Sequence, residues 1–250
     1  MLNIVIPMAG RGSRFQKEGY QLPKPLIPVH GKPMIQVVIN NLSPQCEHRF
    51  IFLCLAEHIK EYGVDQQLME WAPESKIVLV DAVTEGAACT VLLAKDYINT
   101  GSPLMIANSD QWVDIDIDDY LNYMDTSNAD GLIMTMWADD PKWSYIRLNP
   151  EGIPCEVVEK KVVSNEATVG IYNYKHGSDF VSAAESMIAK NLRVNNEFYV
   201  APAYNEMITQ GKKTTFYNIG KECDGMYGLG IPADLKKFEE LPVSRKAVDF

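Results

Sequence analysis

The amino-acid sequence predicts an α/β fold with a mixed, mainly parallel central sheet flanked by helices and followed by an antiparallel portion. Two patterns predict it. In the first half, short apolar segments alternate with amphipathic segments of helical period, as a parallel sheet requires. In the second half, several strand-like segments follow one another without an intervening helix. The chain has 250 residues and is 46% hydrophobic, so we expect one domain over residues 1–250, or one domain with an inserted subdomain.

The first half opens on an apolar strand that breaks into a glycine-rich loop. The strand covers residues 4–7, and the loop runs from Met8 to Phe15. A second glycine turn, at Gly31, opens a helix over residues 33–42. Hydrophobic periodicity then predicts strands over 49–55, 76–80 and 103–107, and helices over 57–71 and over a segment through Val91 and Tyr97.

The second half is predicted to be antiparallel at first and helical later. Strand patterns cover residues 132–138, 145–148, 155–160 and 168–174. Helices are predicted over 178–190, 202–210 and 232–240, with a further strand over 214–218. We expect the tail after Leu241 to be frayed. The two halves are taken as residues 1–130 and 131–241.

The glycine-rich loop is the first candidate binding site. Glycines let a backbone approach a polyphosphate closely and turn its N–H groups inward. Arg14 and Lys24 add positive charge to a chain whose net charge is −10. We therefore expect a nucleoside triphosphate site in which Arg14 and Lys24 are catalytic. The loop residues expected to bind the nucleotide are Met8, Ala9, Gly10, Arg11, Gly12 and Ser13.

Phe15 excludes two commoner glycine motifs. A dinucleotide fingerprint, G-x-G-x-x-G, needs glycine at position 15. A Walker A loop needs glycine there too, followed by lysine and then serine or threonine, whereas the chain continues with Gln16 and Lys17. The remaining alternative is a plain glycine turn after an edge strand, which the added cations Arg14 and Lys24 disfavour.

Further polar segments follow the ends of predicted strands. In open α/β sheets, ligands bind beyond the carboxyl ends of the strands. Asp110 follows the strand 103–107, where its carboxylate can hold Mg²⁺ against a triphosphate. A turn or helix N-cap aspartate is the alternative for Asp110 alone. The other residues that we expect to contact the nucleotide at such ends are Thr84, Glu85, Gly86, Ala87, Asn108 and Ser109.

An acidic run near Asp110 has two interpretations. Asp114, Asp116, Asp118 and Asp119 contain D-x-D patterns, which a metal-dependent glycosyltransferase would use on a nucleotide sugar. Acidic residues are also favoured in the first turn of a helix, because they complement its dipole. We prefer the helix interpretation, because Asp110 lies nearer the strand end.

Three motifs resemble those of the sugar-nucleotidyltransferase, or nucleoside-diphosphate-sugar pyrophosphorylase, family. They are Gly10-Arg11-Gly12-Ser13-Arg14-Phe15, Pro23-Lys24-Pro25 and Gly31-Lys32-Pro33-Met34-Ile35. Within that family the chain resembles short members from capsule loci, including CTP:phosphoglutamine cytidylyltransferases. The resemblance implies a Rossmann-like, GT-A-like fold, a nucleotide-binding first half and an acceptor-binding second half. It also implies that Asp110 binds Mg²⁺.

The same resemblance extends to the second half. Glu159-Lys160 and Val169-Gly170-Ile171-Tyr172 match the family's E-K-P and G-[IL]-Y pattern, with Lys161 in place of the proline. This implies that Lys160 contacts the phosphate of an acceptor, that Gly170 lets the acceptor lie against the backbone, and that Glu197 bonds its hydroxyls.

The chain departs from the family pattern at Gly228, where many members have a second metal-binding aspartate. This departure weakens the expectation that the acceptor is an ordinary sugar phosphate.

The resemblance implies transfer of a nucleoside monophosphate from an NTP, with CTP favoured, to a phosphorylated small acceptor for surface polysaccharide synthesis. A phosphomonoester is largely ionised at pH 7, with a second pKa near ~6, so it attacks without a general base. Catalysis then consists of in-line alignment and charge neutralisation. The alternatives are a UTP- or dTTP-dependent sugar-1-phosphate enzyme, a glycosyltransferase using Asp114 and Asp116, and a non-catalytic nucleotide-binding module.

Composition excludes several other classes. No apolar run approaches the ~20 residues of a membrane span, and the acidic balance disfavours a nucleic-acid partner. The five cysteines form no CxxC pair, which indicates reduced thiols in a cytoplasmic protein. The N-terminus enters a strand directly, so no secretory signal is expected. A homodimer is the default oligomeric expectation.

Overall fold

The computed structural model describes residues 1–250. The strands are β1 (Leu2–Pro7), β2 (Pro28–Val29), β3 (Lys32–Pro33), β4 (His48–Leu55), β5 (Lys76–Val80), β6 (Leu104–Ala107), β7 (Gln111–Val113), β8 (Gly131–Trp137), β9 (Ser144–Leu148), β10 (Pro154–Glu159), β11 (Glu166–Tyr174), β12 (Thr214–Glu222) and β13 (Gly225–Gly228).

Ten α-helices and two 3₁₀ helices accompany the strands. The α-helices are α1 (Ser13–Lys17), α2 (Met34–Leu42), α3 (Ala56–Tyr62), α4 (Val64–Trp71), α5 (Ala87–Leu92), α6 (Lys95–Ile98), α7 (Ile117–Thr126), α8 (Gly177–Ala189), α9 (Ala203–Thr209) and α10 (Pro232–Glu240). The 3₁₀ helices are Lys24–Leu26 and Pro242–Val248. No helix has the length and apolar character that crossing a membrane requires.

The first half forms the predicted parallel sheet, in the order β5-β4-β1-β6. Strand β1 pairs in parallel with both β4 and β6, with Val5 opposite Ile51 on one side and Ile106 on the other. Because β1 is central, nearly all of its residues are buried. The loops that leave β1 and β6 therefore emerge side by side at the carboxyl edge of the sheet.

The second half extends the same sheet. Strand β11 pairs antiparallel with β6, and β8, β12, β13 and β7 follow in that order. Strands β9 and β10 form an antiparallel hairpin beside β11. The predicted antiparallel portion is therefore confirmed. Strands β7 and β13 pair with each other but were not predicted, because each is too short to show a period.

Alternation along the strands divides the core between the two faces of the sheet. Ile4 and Ile6 belong to a cluster of 31 buried residues, whereas Val5 belongs to a cluster of 28 on the other face. Helices cover both faces, as a buried parallel sheet requires. A third, smaller cluster joins α1 and α2 to α10 and the C-terminal tail.

Three expectations about the elements were wrong in detail. The helix predicted over 57–71 is two helices, because Gly63 adopts a left-handed conformation between them. The helix predicted through Val91 and Tyr97 is likewise divided into α5 and α6. The tail after Leu241 is not frayed: Ser244 is fully buried, and Ala247 packs in the third cluster.

Candidate active site

The glycine-rich loop connects β1 to α1 at the carboxyl edge of the sheet. Met8 and Ala9 are buried and anchor the loop, whereas Gly10 and Arg11 are exposed. A Cβ atom at Gly12 would lie 3.0 Å from Cβ of Lys24. The absence of a side chain at Gly12 therefore lets the Lys24 segment pack against the loop.

A cavity of about 220 Å³ lies between this loop and the end of β6; we call it the Lys24 cavity. It is lined by Pro7, Met8, Gly10, Gly12, Lys24, Pro25, Asn108, Ser109 and Asp110. Apart from Pro7 and Pro25, Met8 is the only hydrophobic residue among these nine. The cavity therefore suits a polar, charged ligand. The structure thus brings the glycine loop, Lys24 and Asp110 together, as expected from the strand ends.

Lys24 and Asp110 form an ion pair across this cavity, with Nζ 2.5 Å from Oδ2. Both side chains are partly exposed. Space for the carboxylate depends on Gly230, where a Cβ atom would lie 2.6 Å from Oδ2 of Asp110. The pair places one positive and one negative group at the wall of the Lys24 cavity.

Asp110 fits a magnesium ion whose other ligands come from a substrate. The chain has no group of three or more His, Cys, Asp or Glu side chains that could hold a metal by themselves. Mg²⁺ is commonly bound by one or two carboxylates together with substrate phosphates and water. The single carboxylate of Asp110, in a small polar cavity, matches that donor set.

Arg14 lies outside the Lys24 cavity. It is exposed in α1, as is Ser13. Arg14 lines a separate depression of about 300 Å³ that also contacts Pro232 and Ala233 of α10. The sequence placed Arg14 and Lys24 in one site, and in the structure only Lys24 faces Asp110.

The segment that contains Thr84, Glu85, Gly86 and Ala87 is clamped to the loop before α9. The N–H group of Phe198 donates to the carbonyl of Glu85 at 2.8 Å, and that of Ala88 donates to the carbonyl of Phe198 at 3.0 Å. Gly86 has a φ of +131°, and a Cβ atom there would lie 2.4 Å from the Phe198 oxygen. Thr84 donates to the Gly86 carbonyl at 2.9 Å.

A second cavity, of about 310 Å³, lies beside the first; we call it the Lys160 cavity. It is lined by Pro7, Ala87, Ile106, Asn108, Lys142, Trp143, Ser144, Glu159, Lys160, Thr168, Val169, Gly170, Tyr172, Tyr199, Val200 and Ala201. Lys160 and Gly170 are therefore both at this cavity. Of the segment 84–87, only Ala87 lines it.

Lys160 heads a chain of hydrogen bonds on the wall of this cavity. Its Nζ donates to the Tyr199 hydroxyl at 2.7 Å, and that hydroxyl donates to Glu197 at 2.6 Å. The bond to Tyr199 raises the pKa of Lys160. Glu197 thus reaches the cavity through Tyr199. Lys160 has a positive φ of 54°, an uncommon conformation for a lysine.

Glu159 adds a carboxyl group to the same wall. Burial raises the pKa of Glu159, while a hydrogen bond from the Ser144 hydroxyl opposes that rise. Lys142 also lines the cavity, and its Nζ lies 3.0 Å from Glu222. The cavity therefore presents groups of both charges over an apolar floor.

Sequence reasoning missed several of these residues. Phe198, Tyr199 and Tyr204 all look like core aromatics in the sequence. Phe198 and Tyr204 are buried, but Tyr199 lines the Lys160 cavity. Tyr199 lies in no helix or strand, so no local period indicates where its side chain points. Lys142 and Trp143 lie in a loop without a pattern, and only the fold brings them to the cavity.

The acidic run lies at the start of α7, in agreement with the helix interpretation. Asp116 is the N-cap, and its side chain accepts a hydrogen bond from the Asp118 N–H group at 2.9 Å. Asp114 forms an ion pair with Lys246 of the tail. Neither Asp114 nor Asp116 lines the Lys24 cavity or the Lys160 cavity.

Asp234 occupies space left by Gly228. Its Oδ2 lies 3.5 Å from the position that a Cβ atom of Gly228 would take. Burial raises the pKa of Asp234. A carboxylate from α10 therefore stands close to the strand position where the sequence lacks one.

Comparison with solved structures confirms the predicted mixed α/β, Rossmann-like fold. A nucleoside-diphosphate-sugar pyrophosphorylase from Vibrio cholerae RC9 is similar with a TM-score of 0.78 and 23% identity, over 95% of this chain and all of that one. A UDP-glucose pyrophosphorylase from Acinetobacter baumanii is similar with a TM-score of 0.71 and 16% identity, over 98% of this chain and 96% of that one.

Curated relatives are longer than this chain. A bifunctional protein GlmU from Methanococcus vannielii is 28% identical over 70% of this chain and 41% of its own length. A mannose-1-phosphate guanylyltransferase catalytic subunit beta from Dictyostelium discoideum is 23% identical over 92% of this chain and 64% of its own. The chain thus spans less than two thirds of either relative. Its residues 4–215 match the profile of the nucleotidyl transferase family, and the chain belongs to that family.

Proposed function

We propose that the chain transfers a nucleoside monophosphate from an NTP to a phosphorylated small acceptor and releases pyrophosphate. The observation that carries the proposal is the contact between two cavities with charged walls at the carboxyl edge of the sheet. One holds Lys24 and Asp110, and the other holds Lys160. An acceptor phosphate near Lys160 would face the innermost phosphorus of a triphosphate near Lys24.

In this proposal the residues bind, align and neutralise charge. The glycine loop would hold the triphosphate by backbone N–H groups, and Lys24 would neutralise charge on its oxygens. Asp110 would hold Mg²⁺, which supplies further neutralisation of the phosphoryl oxygens. Lys160 would fix the acceptor phosphate, with Tyr199 and Glu197 holding the ammonium group in place. Arg14 is assigned to the departing pyrophosphate, since it is exposed next to the loop.

The proposed step needs no protein base. An ionised oxygen of the acceptor phosphate forms a bond to the α-phosphorus, and the bond from that phosphorus to pyrophosphate breaks. Pyrophosphate leaves with the electron pair.

We favour CTP as the nucleotide and a phosphoglutamine-like or sugar phosphate as the acceptor, in the synthesis of surface polysaccharide precursors. The reason is that the motifs resemble those of short capsule-locus members.

A second candidate is transfer from UTP or dTTP to a sugar 1-phosphate. Its support is the fold similarity to a protein named UDP-glucose pyrophosphorylase. A glycosyltransferase reaction has less support, because Asp114 and Asp116 are engaged by Lys246 and by the start of α7.

The test is a matrix of the common NTPs against sugar 1-phosphates, alcohol phosphates and phosphorylated amides. Pyrophosphate release would be measured, and products identified by mass spectrometry. We expect Mg²⁺-dependent pyrophosphate with CTP and at least one acceptor. Product with UTP or dTTP alone would support the second candidate. NTP binding without any product would contradict both and indicate a non-catalytic module.

A further inference from the structure

The carboxamide of Asn108 lies where the two cavities meet. Asn108 and Pro7 are the two residues that line both the Lys24 cavity and the Lys160 cavity. Pro7 has no backbone N–H group, so Asn108 carries the hydrogen-bond donors common to both spaces. It follows directly on β6 and is exposed to the cleft. A ligand group that spans both cavities would therefore contact Asn108.

Gly170 forms the seat of this carboxamide. The N–H group of Asn108 donates to the Gly170 carbonyl at 3.0 Å, which ties β6 to β11 at this point. Gly170 has a φ of +84°, and a Cβ atom there would lie 2.1 Å from Nδ2 of Asn108. Gly170 is therefore required by Asn108 itself, because any larger residue would displace the amide.

The side-chain amide of Gln111 also lies next to Gly170. Oε1 of Gln111 lies 3.2 Å from the same Cβ position of Gly170. Gln111 is 4% exposed, and its Nε2 has no hydrogen-bond acceptor within the protein. Buried amides are rarely left unpaired. Gln111 lines neither cavity, so Asn108 supplies the side-chain amide that a ligand at the junction of the cavities would contact.

We propose that Asn108 is a catalytic residue that donates a hydrogen bond to the phosphoryl group during its transfer. This rests on the proposed function. While the bond from the acceptor oxygen to the α-phosphorus forms and the bond to pyrophosphate breaks, Nδ2 donates to a non-bridging oxygen of the group between the two cavities. Asn108 transfers no proton. Gly170 acts as a positioning residue, because it seats the carboxamide.

The kinetic test compares Asn108→Ala and Asn108→Asp with the wild type. A donor that acts on the transition state is worth about 10²–10³ in kcat, so we expect kcat to fall about 10²-fold in Asn108→Ala. It should fall further in the isosteric Asn108→Asp, whose carboxylate repels the phosphates. In Asn108→Ala, which adds no charge, both KM values should stay within about threefold. Pyrophosphorolysis should slow by the same factor, since both directions share one transition state.

The positioning role of Gly170 is tested by a double-mutant cycle with Asn108. Gly170→Ala should lower kcat about as much as Asn108→Ala, and the double variant should be no slower than either single variant. Asn122→Ala, an exposed asparagine of α7, is the matched control and should keep wild-type kinetics. Thermal unfolding of each variant separates a loss of fold from a loss of rate.

Two outcomes would overturn the inference while leaving the proposed function intact. One is an active wild type with unchanged kcat in Asn108→Ala and Asn108→Asp. The other is a rise confined to the KM of the NTP, which would make Asn108 a ground-state contact. Absence of pyrophosphate from the wild type with every NTP and acceptor would instead overturn the proposed function, and this inference with it.

Discussion

The ammonium group of Lys24 and the carboxylate of Asp110 lie 2.5 Å apart across the Lys24 cavity, although 86 positions separate them in the chain. Each group neutralises the other until a charged ligand arrives. A triphosphate would attract Lys24, and a metal ion would attract Asp110, so ligand binding is expected to divide the pair. In the proposed function, the pair would be the arrangement of these two groups before the substrates bind.

The first prediction concerns the function of this pair. Lys24→Ala and Asp110→Ala should each lower kcat at least ~10³-fold. Each substitution removes a group that would neutralise charge on the reacting phosphates, directly for Lys24 and through Mg²⁺ for Asp110. A partly exposed ion pair contributes only about 0–1 kcal/mol, so the thermal unfolding temperature should change by less than about 4 °C. Pyrophosphate release and calorimetry measure the two effects.

Lys95→Ala is the matched control for Lys24. Lys95 also has an ion pair of 2.5 Å, with Glu185, but on the surface of α6 and α8. Its loss should leave kcat unchanged. Wild-type rates in Lys24→Ala or Asp110→Ala would remove that residue from the mechanism.

The second prediction concerns Tyr199, whose hydroxyl joins Lys160 to Glu197. Tyr199→Phe removes this link and leaves the Lys160 ammonium group free to move. Hydrogen bonds to charged groups contribute about 1.5–3 kcal/mol, so the KM of the acceptor should rise about tenfold or more. Initial-rate kinetics with each substrate varied in turn would measure it. The KM of the NTP should not change.

Tyr123→Phe is the control for Tyr199. Tyr123 is 39% exposed on α7, away from both cavities. An equal effect of Tyr199→Phe on both KM values would contradict a role confined to the acceptor.

The third prediction concerns Gly86, which has no room for a side chain. Gly86→Ala would bring Cβ to 2.4 Å from the Phe198 oxygen at a φ of +131°. We expect a loss of about 2 kcal/mol or more in the free energy of unfolding, since steric and backbone strain combine. Chemical denaturation measures it. Gly101→Ala, with nothing within 4 Å of the added atom, should change stability by less than about 0.5 kcal/mol.

The fourth prediction is a pH dependence that involves Glu206. Hydrogen bonds from Lys190 and Ser186 lower the pKa of this carboxyl group in the folded protein. The folded protein therefore binds the proton less readily than the unfolded chain does, and the ionised form stabilises the fold above the ordinary pKa of 4.5. That stabilisation should disappear as the pH falls through the lowered pKa.

Denaturation of the wild type and of Glu206→Gln as a function of pH would check this. The wild type should be more stable at neutral pH, and the difference should narrow below pH 4.5, the ordinary value for the group. A difference that stays constant with pH would show that Glu206 contributes by packing alone.

The sequence by itself determined the fold class and which residue types stand at the carboxyl edge of the first-half strands. Strand and helix periods are local properties, so β5 and α10 were predicted at their observed bounds. The glycine loop, Lys24 and Asp110 were found because parallel strands place their carboxyl ends at one edge. Breaks inside helices, such as that at Gly63, were missed because a single glycine is tolerated in many helices.

Only the tertiary structure decided which of the remaining side chains reach the two cavities. Tyr199 turns from the core to Lys160, and Arg14 faces α10 instead of Asp110. The tail is held because Ser244 is buried with its hydroxyl 2.7 Å from Nε2 of His30, and because Ala247 packs in a cluster formed by distant segments. These outcomes depend on contacts between residues far apart in the chain, which leave no local period. The seating of Asn108 on Gly170 is of the same kind, since strand pairing alone brings β6 and β11 together.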